Sequence, residues 1–121
     1  MGHAPCVINN HVPLEYHHWY ISMCNDTPTI KNDLKVINKT MKGGKVDPQY
    51  YLRDKDLSTI TVPTLWLWGK KDSFAIVETG SRVSSIMKNS RIVFFEGAGH
   101  LPWLDDPITH GRLLDDFFNE T

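Results

Sequence analysis

The chain has 121 residues, a formal net charge of -1 and 40% hydrophobic residues, which is the length and apolar content of one globular domain. A basic excess that would favour nucleic acid, a block of like charges and the roughly 20-residue apolar run of a membrane span are all missing from the sequence. Its first ten residues lack the apolar core of a signal peptide. The two cysteines, Cys6 and Cys24, fit a reducing compartment, so the cytoplasm is the expected location.

Helices and loops are predicted for the first half of the chain. Apolar residues at helical spacing predict a helix from about Pro13, and Asn25-Asp26-Thr27-Pro28 breaks it. A second amphipathic helix is expected from about Lys31 to Met41, with Gly43-Gly44 at its end. A short helix is expected over Asp54–Ile60.

Strands and helices alternate after residue 60. The near-continuous apolar run Val62–Trp68 predicts a strand buried on both faces, as in a parallel sheet. Ala75–Met87 predicts a helix, with Ile76, Val83 and Met87 on one face. Arg91–Phe95 predicts a second strand, and Asp106 caps a last helix whose inward residues would be Leu114, Phe117 and Phe118. The order strand, helix, strand, helix predicts an α/β fold with a mostly parallel sheet.

A carboxylate and an imidazole follow the two predicted strands. Asp72 comes after the first strand, and His100 comes after the second, behind the turn Gly97-Ala98-Gly99. The carboxyl ends of parallel strands meet at one edge of a sheet, where ligands bind in open α/β folds. An Asp that orients a His general base is half of the machinery that activates a nucleophile.

These segments resemble the α/β-hydrolase family between Asp56 and Phe118. Val62–Gly69 with Asp72 is similar to its seventh strand and acid turn, and Gly97–Trp103 before Asp105-Asp106-Pro107 is similar to its eighth strand, catalytic His and last helix. The resemblance implies that Asp72 is the triad acid and that His100 is the triad base. It also implies two regions: a tail and helical cap-like segment over residues 1–55, and the C-terminal βαβα part of the hydrolase core over residues 56–121.

The nucleophile of that family has no counterpart in this sequence. The elbow G-x-S-x-G should precede the acid, whereas Gly80–Ser84 lacks the second glycine and lies in a predicted helix after it. Cys6 lacks a strand-turn-helix context, and an HGGG-type oxyanion loop is missing. We therefore expect a fragment, a split-enzyme subunit or a truncated remnant, inactive by itself.

The resemblance implies hydrolysis, or acyl transfer, of a small ester-like or related substrate through a nucleophile-His-Asp triad, with no cofactor. An N-terminal partner chain would supply the nucleophile. The alternative is an inactive remnant or association module. Because two strands leave apolar sheet edges unpaired, self-association, element swapping or a molten state is expected for the isolated chain.

Other residues near the two motifs have competing explanations. Phe74 and Trp103 are candidate substrate contacts, although packing of the last helix against the sheet is the favoured explanation of Trp103. Lys70 and Lys71 are expected to be solvated, and Glu96 is given no role.

Two further motifs are considered and set aside. His11, Glu15 and His18 have a spacing compatible with a metal site, but solvated side chains explain it more simply and no metal is predicted. Gly97-Ala98-Gly99 is not a dinucleotide loop, because Pro102 stands where that motif needs glycine.

Overall fold

The computed structural model describes residues 12–120. They form two compact units, Pro13–Arg53 and a second unit that begins at Asp54. Cys6 and His11, considered above as a nucleophile and a metal ligand, lie outside the described residues. Within them, each helix is too short or too polar to cross a bilayer.

The first unit contains two helices separated by a single residue. Helix α1 spans Leu14–Asn25 and α2 spans Thr27–Thr40. The Asp26 carboxylate accepts a hydrogen bond from the Thr29 backbone N–H at 2.9 Å, so Asp26 is the N-cap of α2. This cap explains why α2 begins four residues before Lys31, the predicted start.

A small hairpin follows α2, where the sequence predicted only the end of a helix. Strands β1 (Met41–Lys42) and β2 (Lys45–Val46) pair antiparallel. Gly43 and Gly44 have φ values of 58° and 76°, which suits a two-residue hairpin turn that needs positive φ at both positions. The prediction that these glycines end the helix is therefore wrong, because α2 has already ended at Thr40.

The second unit has the predicted α/β order. Its parallel pair, β3 and β4, runs in register from Thr64↔Ser90 to Gly69↔Phe95. The short helix α5 was not predicted. The elements are α3 (Asp54–Leu57), β3 (Thr64–Gly69), α4 (Val77–Ile86), β4 (Ser90–Phe95), α5 (Pro102–Asp105) and α6 (Pro107–Glu120).

Helices α4 and α6 cover opposite faces of the β3–β4 pair. On the α4 side, Gly80 lies so close to Trp68 and Ile92 that a Cβ there would come within 2.9 Å of either side chain. On the α6 side, the Phe95 ring lies 6.2 Å from the His110 ring. Alternate residues of a strand face opposite sides, so the even and odd positions of β3 and β4 meet different helices.

Burial in this unit is less complete than the sequence predicted. The buried apolar residues are Leu57, Met87, Phe95, Ala98 and Leu101. Residues 64–68 of β3, expected to be buried on both faces, are only half-buried. The described residues provide β3 with one neighbouring strand, which leaves its second edge uncovered.

Two predicted inward-facing residues are also exposed. Ile76 is 64% exposed and Phe118 is 71% exposed. Ile76 precedes the first residue of α4 and therefore lies outside its apolar face. Phe118 follows Phe117 directly, and successive helical residues point about 100° apart, so only one of the two faces the sheet.

Candidate catalytic site

Asp72 and His100 meet at the carboxyl ends of the parallel strands. β3 ends at Gly69 and β4 ends at Phe95, so the turns after both strands lie at one edge of the sheet. The His100 Nδ1 atom is 2.9 Å from Asp72 Oδ2, within hydrogen-bond range. The predicted contact between this carboxylate and this ring nitrogen is therefore confirmed.

The Asp72 carboxylate divides its two oxygens between backbone and imidazole. Oδ1 accepts hydrogen bonds from the backbone N–H groups of Phe74 at 2.7 Å and Ala75 at 3.3 Å, and the side chain is only 8% exposed. Burial by itself raises the pKa of Asp72, but the hydrogen bonds from His100, Phe74 and Ala75 outweigh it and hold the pKa below its usual value. The carboxylate is thus kept ionised and fixed in direction.

The His100 ring is hydrogen-bonded through Nδ1 and is partly exposed to solvent. When Nδ1–H donates to Asp72, Nε2 is the unprotonated acceptor of the neutral ring. The side chain is 44% exposed, and the Phe74 ring lies 4.6 Å from the imidazole, tilted by 49°. This arrangement suits a general base whose orientation is fixed by a carboxylate.

Backbone contacts lock the acid turn to the histidine turn. The Lys70 N–H donates to the Phe95 carbonyl and the Lys71 N–H donates to the Ala98 carbonyl, both at 2.9 Å. Gly69 packs so tightly that a Cβ would lie 2.0 Å from the Gly99 carbonyl oxygen. Sequence reasoning missed Gly69, because nothing local in the sequence marks a close approach to a residue 30 positions away.

Two polar side chains near these turns have partners that the sequence did not predict. Lys70, expected to be solvated, forms an ion pair with Glu96, to which no role was given. The Trp68 indole N–H donates to the Ala75 carbonyl at 3.1 Å. This bond connects the end of β3 to Ala75, whose backbone N–H also donates to Asp72.

Trp103 contacts the last helix. Its ring lies 6.1 Å from the His110 ring in an edge-on arrangement, which is the packing role considered for it. Phe74, by contrast, is 70% exposed beside the His100 ring. Of the two predicted substrate contacts, Phe74 is thus the one seen against the candidate base.

One cavity of this unit, of about 310 Å³, lies beside Glu96, Gly97 and Ala98, just before His100. Another, of about 460 Å³, lies away from the two catalytic candidates at the amino ends of the strands, and its walls include Pro63, Thr64, Ser90, Arg91 and Phe117. Among residues 12–120, no group of three or more His, Cys, Asp or Glu side chains could hold a metal ion.

Comparisons with known proteins give curated relatives that match about half of this chain. No family model matches the chain. An uncharacterised protein of Mycobacterium tuberculosis is 31% identical over 68 residues, which are 56% of this chain and 20% of that protein. A 2-hydroxy-6-oxononadienedioate/2-hydroxy-6-oxononatrienedioate hydrolase of Pseudomonas putida is 33% identical over 61 residues, 50% of this chain and 21% of the relative.

Solved structures extend the likeness to more of the chain. An esterase from Exiguobacterium antarcticum superposes with a TM-score of 0.64 at 23% identity, covering 94% of this chain and 39% of the esterase. A serine hydrolase involved in carbazole degradation gives a TM-score of 0.70 at 20% identity, covering 80% of this chain and 36% of the hydrolase.

The hydrolase of Pseudomonas putida and the two solved structures are α/β-hydrolase fold proteins, and this chain shares their fold. The predicted resemblance to that family and the α/β fold class are thereby confirmed. The chain spans about a fifth of the length of the curated relatives that it matches.

Proposed function

We propose that this chain supplies the acid and the base of a hydrolase triad that acts on a small ester-like or related substrate. The observation that carries the proposal is the 2.9 Å contact between His100 Nδ1 and Asp72 Oδ2 at the carboxyl ends of parallel strands. The Pseudomonas putida relative is named as a hydrolase, which supports the same class of reaction.

The two side chains would have distinct roles. His100 Nε2 would take the proton of the attacking nucleophile and return it to the leaving group, or activate the water that releases an acyl intermediate. Asp72 would hold the required tautomer and stabilise the imidazolium as it forms. Phe74, and Trp103 by proximity in the chain, would contact the substrate beside the base.

The nucleophile would come from an N-terminal partner chain or from preceding residues of the same polypeptide. The unit Pro13–Arg53 would then be a cap-like segment, as its helix content suggests. A cytoplasmic location completes this proposal and rests on the cysteine content of the sequence alone.

A different function is supported by a different observation. Of the described residues, only β4 pairs with β3, and an unpaired strand edge is a template for association. The alternative proposal is an inactive association module that binds a second copy or another chain through this edge.

The catalytic proposal can be tested in a chimera. Residues 56–120 of this chain would replace the matching segment of the Pseudomonas putida hydrolase, and turnover would be compared with His100→Gln and Asp72→Asn variants. We expect Asp72→Asn to lose about 10⁴-fold in kcat and His100→Gln to lose about 10⁶-fold, the scales seen when the acid and the base of such a triad are removed. Asp115→Asn, an exposed carboxylate on α6, is the matched control and should keep full activity.

A chimera that keeps its activity without His100 would refute the catalytic role. A chimera without activity leaves a second assay, in which the pure 121-residue chain is tested on p-nitrophenyl esters. We expect no turnover above solvent. Robust turnover that His100→Ala abolishes would show that this chain carries its own nucleophile, and Cys6 would be the first residue to test.

A further inference from the structure

The loop that carries His100 is closed by a buried carboxylate outside the candidate pair. Asp105 is only 6% exposed, and its Oδ2 accepts a hydrogen bond from the Gly99 backbone N–H at 2.8 Å. Gly99 is buried as well and is the residue directly before His100.

The neighbouring aspartate has a different partner. Asp106 Oδ1 accepts from the Thr109 backbone N–H at 3.0 Å and caps the first turn of α6. The two adjacent carboxylates therefore accept hydrogen bonds from different segments. Asp105 accepts from Gly99, in the loop that carries His100, whereas Asp106 accepts from Thr109, in α6.

Both backbone polar groups of Gly99 have close neighbours. Its N–H is bound by Asp105, and its carbonyl oxygen lies against Gly69, in the acid turn. After His100 the chain is buried again at Leu101 and Pro102. The backbone is therefore buried on both sides of the exposed His100 side chain. If the buried Gly99 N–H lost its acceptor, it would have to move to find another hydrogen-bond partner.

We propose that Asp105 is a positioning residue for His100. By binding the Gly99 N–H, it fixes the backbone before the histidine and thereby directs Nδ1 toward Asp72. This action runs through the backbone of Gly99. The proposal rests on the proposed function, because a fixed Nδ1 matters catalytically only if His100 is the base.

The test compares Asp105→Ala with Asp105→Asn and with Asp106→Ala in the full 121-residue chain. Asparagine keeps an oxygen that can accept the Gly99 N–H, whereas alanine does not. Asp106→Ala is the matched control, since it removes a neighbouring carboxylate and a helix cap but leaves the Gly99 bond intact. ¹⁵N NMR would give the tautomer of His100, and circular dichroism would give the stability of each variant.

We expect Asp105→Ala to lower the fraction of the Nδ1–H tautomer of His100, while Asp105→Asn and Asp106→Ala keep the wild-type fraction. In the active chimera, Asp105→Ala should lower kcat by about 100-fold, the cost of a displacement near 1 Å, with KM changed much less. In wild-type protein, the Gly99 amide should exchange slowly with solvent, which checks the bond even if Asp105→Ala does not fold.

Different results would overturn different claims. If Asp105→Ala destabilises the chain as Asp106→Ala does and leaves the His100 tautomer unchanged, Asp105 is structural only and the inference fails. Rapid exchange of the Gly99 amide would also overturn it. If Asp72→Asn leaves the tautomer of His100 unchanged, the pair itself is not coupled and the proposed function fails.

Discussion

The ionised state of Asp72 couples this residue to the stability of the fold at acid pH. Its pKa in the folded chain is held below the usual value of about 3.9. A carboxyl group of this kind contributes stability above its unfolded pKa, and the contribution disappears as pH falls through the folded pKa. The contribution should therefore be complete near neutral pH and be lost below about pH 4.

We accordingly expect Asp72→Asn to weaken the dependence of unfolding free energy on pH below about pH 4. Urea unfolding of both proteins at pH 7, 4 and 3 measures it. Asp115→Asn should retain the wild-type slope, because Asp115 is an exposed residue of α6. Identical slopes for Asp72→Asn and wild type would contradict the role given to the Asp72 hydrogen bonds.

Two glycines should respond in opposite ways to the same added methyl group. At Gly69 a Cβ would meet the Ala98 and Gly99 carbonyl oxygens at 2.4 and 2.0 Å, and backbone cannot withdraw as a flexible side chain can. At Gly111, inside α6, nothing lies within 4 Å of the added atom. Gly69→Ala should cost about 3 kcal/mol or more, whereas Gly111→Ala should stabilise by up to about 1 kcal/mol because alanine favours helix.

Denaturant unfolding of the two alanine variants provides the comparison. A Gly69→Ala protein as stable as wild type would mean that the acid and histidine turns do not approach as closely as the structure places them. The His100 tautomer should change in Gly69→Ala and stay unchanged in Gly111→Ala.

The sequence predicted those elements whose apolar pattern is local. The strand at Val62–Trp68 and the strand at Arg91–Phe95 are both present with ends shifted by one or two residues, because continuous β-rich apolar runs carry their own signal. The hairpin at Gly43-Gly44 and helix α5 were missed. Each has only two to four residues per element, too few for a periodic pattern.

The residues of the candidate site also divide into those that a local sequence pattern reveals and those that it does not. Asp72 and His100 could be predicted because each follows a strand that the sequence reveals. Gly69 and Asp105 could not, since their importance comes from a contact with Gly99. Such contacts depend on how two turns approach one another, and neither turn alone specifies that distance.

The start of α2 offers a test at the level of one element. Asp26 accepts hydrogen bonds from both the N–H and the hydroxyl of Thr29, and these bonds lower the pKa of Asp26. Asp26→Ala should therefore fray the first turn and speed hydrogen exchange of the Thr29 amide. Asp33→Ala, in an exposed position within α2, should leave that exchange unchanged; equal acceleration in both variants would exclude a specific cap.

At the scale of the whole unit, the backbone groups along one edge of β3 have no neighbouring strand among the described residues. The backbone N–H groups of Thr64 and Lys70 bond toward the β4 segment, so those of Leu65 and Leu67, at alternate positions, point to the opposite edge. Among residues 12–120, no strand pairs there. Apolar residues are also exposed in the same unit, including Val62 at 62% and Ile108 at 67%.

An unpaired apolar edge of this kind favours pairing with another chain, and we expect the isolated protein to self-associate or to exchange elements with a copy. Sedimentation velocity over a range of concentrations should show a mass that rises with concentration. Leu65→Lys places a charge in the edge strand β3, which disfavours strand pairing, and should shift the chain toward monomer, while Ile108→Lys, on α6, should not. A sharp monomer at all concentrations, with fixed near-ultraviolet aromatic signals and a cooperative melt, would contradict the expectation and require that β3 be covered within a single chain.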